Sequence, residues 1–138
     1  MPLPKILAEL LSLPTATFVE SAVLDYVRRF CRKTAGVSMI GDRYGNLLVC
    51  YRRRPGGVSP LVFSAHMDHP GFVAQEMRDG RTLRAEFRGG VIDDYFAGAR
   101  VWFWSEGRRV RGRVLEVTKL KKLVRGPATY RIPEEALL

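Results

Sequence analysis

A histidine and an aspartate stand two positions apart in Ser64-Ala65-His66-Met67-Asp68-His69-Pro70-Gly71-Phe72, directly after the apolar run Leu61-Val62-Phe63-Ser64-Ala65. These residue types suit a metal site. One imidazole nitrogen can ligate a divalent ion while the other donates to a carboxylate, which fixes the tautomer and raises ligand basicity. A period of two puts His66 and Asp68 on one face of a strand. His66 is then the candidate metal ligand, and Asp68 is placed to support it or to contact the site directly. His69 is a second candidate; in that register it points to the opposite face, but Pro70 breaks the strand, so it otherwise reads as a cleft-lining or loop residue. From spacing alone, an ordinary hydrogen-bonded histidine accounts for the pattern as well as a ligand does. Asp93-Asp94 reads as a pair of surface-loop carboxylates.

These residues need a frame. Leu61–Ala65, bounded by Pro60, has the composition of a buried central strand, and open α/β sheets build their sites beyond the carboxyl ends of such strands. Upstream, Leu3, Ile6, Leu7, Leu10 and Leu11 predict a helix over 3–12. Thr17 and Glu20 form a capping box for a second helix running to about Lys33, with Gly36 as its stop. Strands are expected at Val37–Ile40 and Leu47–Tyr51 around the turn Asp42–Asn46, followed by a Pro/Gly/Arg loop over 52–60. Downstream, Asp79-Gly80 and Glu106-Gly107 predict hairpins between Phe72–Met77 and Thr82–Phe87, and between Val101–Ser105 and Arg109–Val117. The tail from Gly126-Pro127 shows no clear element before Pro133, after which Glu134–Leu138 reads as the start of a helix. The expected architecture is α/β over residues 1–72, then a small β-barrel-like region over 73–138.

Composition narrows the classes. The chain has 138 residues, with 46% hydrophobic, which excludes wholesale disorder. No apolar run approaches the ~20 residues of a membrane helix, and the N-terminus lacks a secretory pattern, so a cytoplasmic protein is expected. Cys31 and Cys50 read as reduced thiols. Lys plus Arg number 23 against 14 Asp plus Glu, a net charge of +9. The basic clusters Arg52–Arg54, Arg108-Arg109 and Lys119–Lys122 lie beside turns and read as solvated surface, so nucleic acid is not the expected partner. Trp102 and Trp104 share a strand face, and barrel packing or a subunit contact accounts for them.

The order of parts resembles the N-terminal region of the dinuclear-zinc aminopeptidases of the glutamyl aminopeptidase and cellulase-M-like family. The landmarks are Leu10-Leu11-Ser12-Leu13-Pro14, Glu20 to Tyr26, Asp42-Arg43-Tyr44-Gly45-Asn46, Ala65-His66-Met67-Asp68 and Gly71-Phe72. Gly89-Gly90, Gly98-Ala99-Arg100-Val101 and Arg111-Gly112-Arg113-Val114 resemble the family's passage into an inserted β-barrel. The resemblance spans roughly residues 5–118. It implies a partial three-layer zinc-peptidase-like sheet domain followed by the start of that barrel. It also implies that His66 is a ligand to one of two divalent ions, zinc or cobalt, and that Asp68 is the catalytic-site carboxylate behind it. The activity implied is hydrolysis of N-terminal residues from peptides, with homo-oligomers formed through the barrel. Where the family carries an acidic residue after His-Met-Asp, this chain has His69-Pro70.

A dinuclear site needs several ligands and a base, because two cations must be held with positions open for water and substrate. Two histidines and no second clustered set of acids fall short of that. The chain is therefore expected to be the N-terminal part of such an enzyme, inactive alone, with its bridging Asp, general-base Glu and further ligands elsewhere. A non-catalytic assembly module is the rival reading, and a basic nucleic-acid-binding barrel is the third.

Overall fold

The structure, a computed structural model, describes residues 4–52 and 61–138. The fold is mixed α/β with strands dominating. It divides into two units. One runs to Leu13 and resumes over Glu20–Met67; the other takes in Pro14–Val19 and Asp68–Leu138.

In the first unit, the leucine-rich segment forms α1, Lys5–Leu11. The apolar stripe of the next segment forms α2, Ser21–Lys33, with Val23 and Cys31 buried and Arg32 and Lys33 in the last turn, where cations suit the helix end. Tyr26 on α2 donates its hydroxyl to Glu9 on α1 at 2.7 Å, and this bond raises the phenol's pKa. Strands β1, Val37–Gly41, and β2, Leu47–Tyr51, pair antiparallel. Asp42 closes their turn, accepting from the Asn46 side chain at 2.7 Å and from the backbone N–H groups of Tyr44 and Asn46. These donors, the Asn46 amide first, hold its carboxyl below the usual range. Cys31 is buried, Cys50 half-buried, and both thiols are free.

The second unit holds an antiparallel sheet of order β3-β4-β8-β7, built from β3 (Gly71–Met77), β4 (Leu83–Arg88), β7 (Glu116–Arg125) and β8 (Ala128–Leu137). A separate ribbon pairs β5, Arg100–Ser105, with β6, Arg108–Arg113. The core lies in this unit: Ala85, Phe87, Phe96, Val114, Ala136 and Leu138 are buried together. Phe72, Phe87 and Phe96 pack edge-on or tilted, with ring centres 4.8–5.5 Å apart. Among the described residues the strands form several sheets and close no barrel.

Four expectations are corrected. First, Leu61–Ala65 is no strand, and Leu61, Val62 and Phe63 stand exposed. An apolar run becomes a central strand only with a neighbour on each edge, and no described residue pairs with this one. Second, α2 starts at Ser21 after Glu20, with no side-chain cap; Thr17 is engaged elsewhere. Third, the strand expected over Arg109–Val117 breaks at Val114. Val114 N–H donates to Ala99, but Leu115 N–H donates to Leu137, so the chain leaves β5 for β8. Fourth, the tail is a strand and not the start of a helix. Pro133 sits in β8 fully buried, opposite Leu120 where the β7 register shifts, and outside the three residues that pair with β4. A proline is tolerated there because a bulge asks no N–H of it. The loop expected over 52–60 lies, apart from Arg52, outside the described residues.

Candidate functional site

Asp68 is the best-anchored of the candidate residues. It is half-buried, and its Oδ2 accepts from Thr17 Oγ1 at 2.8 Å across 51 positions of sequence. The loop bearing Thr17 is a tight one. Ala16 and Val19 exchange backbone hydrogen bonds, which requires Phe18 to turn the chain at φ 66°. That left-handed conformation is rare for an aromatic residue and is held only where the surroundings over-determine it.

Two features hold the loop in place, Arg88 and Gly71, and a third close approach, of Gly89 to Pro70, lies beside them. Arg88 on β4 donates through Nη1 to the Thr17 carbonyl at 3.1 Å and through Nη2 to Glu86 at 3.0 Å. Glu86 also accepts from Gln75 at 3.1 Å. Gly71, opening β3, sits so close to the loop that a Cβ would lie 2.8 Å from the Thr15 carbonyl oxygen. Gly89, at φ 143°, abuts Pro70, where a Cβ would fall 2.6 Å from the proline ring. A chain of named contacts thus runs from the sheet through Arg88 and Thr17 to the Asp68 carboxylate. Beside it, the Thr15 hydroxyl is buried with no hydrogen-bond partner among the described residues.

His66 is exposed and belongs to the first unit, whose last residue is Met67. Residues 61–69 are not a strand, so the two-residue period that aligned His66 with Asp68 in the sequence has no strand to act through. His69 is exposed, and its Nδ1 lies 3.1 Å from the Pro70 carbonyl oxygen. A carbonyl only accepts, so Nδ1–H is the donor in this contact. Asp93 accepts an ion pair from Arg131 at 3.0 Å, tying a short 3-10 turn to β8.

Among the described residues, no group of three or more His, Cys, Asp or Glu is placed to hold a metal ion. The donor set present does not fit a dinuclear centre. A cavity of about 720 Å3 in the second unit is lined by Met77, Leu83, Phe103, Val110, Arg111 and Leu138 among others, and none of His66, Asp68 or His69 lines it. No helix among the described residues is long and apolar enough to cross a membrane.

Sequence reasoning missed Thr17. Its hydroxyl was matched to a helix cap because Glu20 follows three residues later. No sequence signal points to the other role, because the residue type of Phe18 gives no hint of its φ of 66°. Protein-family models, curated proteins and solved structures were each compared with the chain, and none of them matches.

Proposed function

We propose that this chain is the N-terminal part of a metal-dependent aminopeptidase that removes N-terminal residues from peptides. It would not act as an isolated chain. In this reading residues 1–72 belong to the α/β catalytic domain, and residues 73–138 begin an inserted barrel-like domain through which copies associate. His66 contributes one ligand to a zinc or cobalt ion, and Asp68 orients and tunes that ligand. The observation that carries the reading is the built support of Asp68. A half-buried carboxylate held by Thr17, itself fixed by Arg88, is already positioned to support a ligand. The ordered landmarks of the sequence add to it.

With two histidines in the whole chain, the ligand supply falls short of two metals. The test is an aminoacyl-nitroanilide assay of the purified chain with added zinc or cobalt. No turnover is expected; turnover that survives His66→Ala would overturn both the activity assignment to His66 and the inactivity of the chain alone.

A further inference from the structure

The β5–β6 ribbon carries an arrangement that the aminopeptidase reading does not use. The register pairs Arg100 with Arg113, Trp102 with Arg111 and Trp104 with Arg109. Directly opposite residues share a face, so one side of the ribbon presents two tryptophans and four arginines and nothing else. The other side, with Val101 and Phe103, packs on the core.

Trp102 and Trp104 remain 43% and 48% exposed, so this face is not packed away within the unit. The Arg109 guanidinium lies 3.9 Å from the centre of the Trp102 ring and that of Arg111 lies 5.0 Å from it. The ring quadrupole gathers both cations to one spot. Among the described residues Arg113 donates only to the Gly98 carbonyl.

The carboxylates nearest the ribbon, Glu106 in its turn and Glu116 after β6, form no ion pair with it among the described residues. Ion pairs among the described residues engage Arg28, Arg78, Arg84, Arg88, Lys119 and Arg131, but none engages Arg100, Arg109, Arg111 or Arg113. Arg100 and Arg113 even face each other directly, a like-charge pairing that destabilises a ribbon. A face that holds four cations together without anions is complementary to a polyanion.

We infer that this face binds single-stranded nucleic acid. Arg109 and Arg111, gathered at the Trp102 ring, form one concentrated cationic point for the phosphate backbone, with Arg100 and Arg113 extending it along the ribbon. Among the described residues no cation lies over the Trp104 ring, which is 48% exposed at the rim of the cavity and can take a stacked base. A cationic track with an interleaved aromatic is how single strands are held without sequence preference. An acidic peptide would use the charge but not the open indole. A membrane surface would want apolar residues at the rim, where this face has arginine.

The test uses the full chain and a fluorescein-labelled mixed-sequence oligonucleotide of about 12 nucleotides, read by anisotropy across a salt series. Four phosphate contacts predict a slope of log K against log salt near −2.8, at about −0.7 per phosphate. Arg109→Gln with Arg111→Gln should flatten that slope by about 1.4. Trp104→Ala should weaken binding by about 5-fold to 150-fold. Lys121→Gln with Lys122→Gln removes the same charge from β7 and should leave affinity within about 3-fold. An equal loss in that control would mean diffuse charge attraction and overturn the proposal. So would the absence of salt-dependent binding, or binding to vesicles of one-third phosphatidylserine with none to the oligonucleotide. Circular dichroism of each variant establishes that the fold is kept.

Discussion

The bond between Thr17 and Asp68 is measurable as a coupling energy. Thr17→Val removes the hydroxyl but keeps the shape and the backbone carbonyl, so the Arg88 contact to that carbonyl survives. Asp68→Ala removes the acceptor. A hydrogen bond to a carboxylate contributes about 1.5–3 kcal/mol. Asp68 is half-buried, so solvent competes for it, and a coupling of roughly 1–2 kcal/mol is expected. The assay is urea unfolding of the wild type, both single variants and the double variant, with m-values required to agree. Trp102 and Trp104, in the same unit as Thr17 and Asp68, report the transition by fluorescence. Thr17→Ser keeps the donor and should restore most of the lost stability. A coupling below about 0.3 kcal/mol would show that the two side chains do not act on each other, and the anchoring of Asp68 would have to be abandoned.

Three more outcomes are expected. Phe87→Ala removes the ring that touches both Phe72 and Phe96 in the core, and should cost about 3–5 kcal/mol by urea unfolding. Thr15→Val replaces the buried unpartnered hydroxyl with a methyl group of similar size; the second unit should gain about 1 kcal/mol, and a loss would mean that the hydroxyl has a partner. Asp79, in the β3–β4 turn, accepts from the Arg81 and Thr82 backbone N–H groups at 2.7 Å, and these donors hold its carboxyl below the usual range. Its contribution is present above the ordinary carboxylate pKa and is lost as pH falls through the lowered value. The melting difference between wild type and Asp79→Asn should therefore shrink as pH drops from neutral towards about 3.

Local signals in the sequence were reliable wherever the structure is decided locally. The helical recurrence of Val23 and Val27 placed α2, and Asp79-Gly80 and Glu106-Gly107 placed two hairpins, because turn chemistry and periodicity act over a few residues. Three features depend on distant partners. Leu61–Ala65 has the composition of a central strand, but composition does not provide the neighbours that such a strand needs. The tail from Gly126 reads as no clear element before Pro133 and the start of a helix after it, yet a turn and a bulge make it one strand of a hairpin. Thr17 reads equally well as a helix cap or as a donor to a carboxylate 51 positions away, and only the fold of the 14–19 loop decides between them. Of the candidate site, the residue types were legible, while the support of Asp68 through Thr17, Arg88 and Gly71 was not.

The central claim is that His66 supplies one metal ligand, with Asp68 behind it, in a chain that holds no dinuclear centre alone. Calorimetric titration of zinc into the full chain, into His66→Ala and into Asp68→Ala tests it most directly. The account predicts fewer than two ions per chain, uptake that is lost with His66, and an affinity that falls about 10–100-fold with Asp68, the usual cost of removing a ligand's supporting carboxylate. Uptake unchanged in both variants, or two tightly held ions per chain, would contradict it.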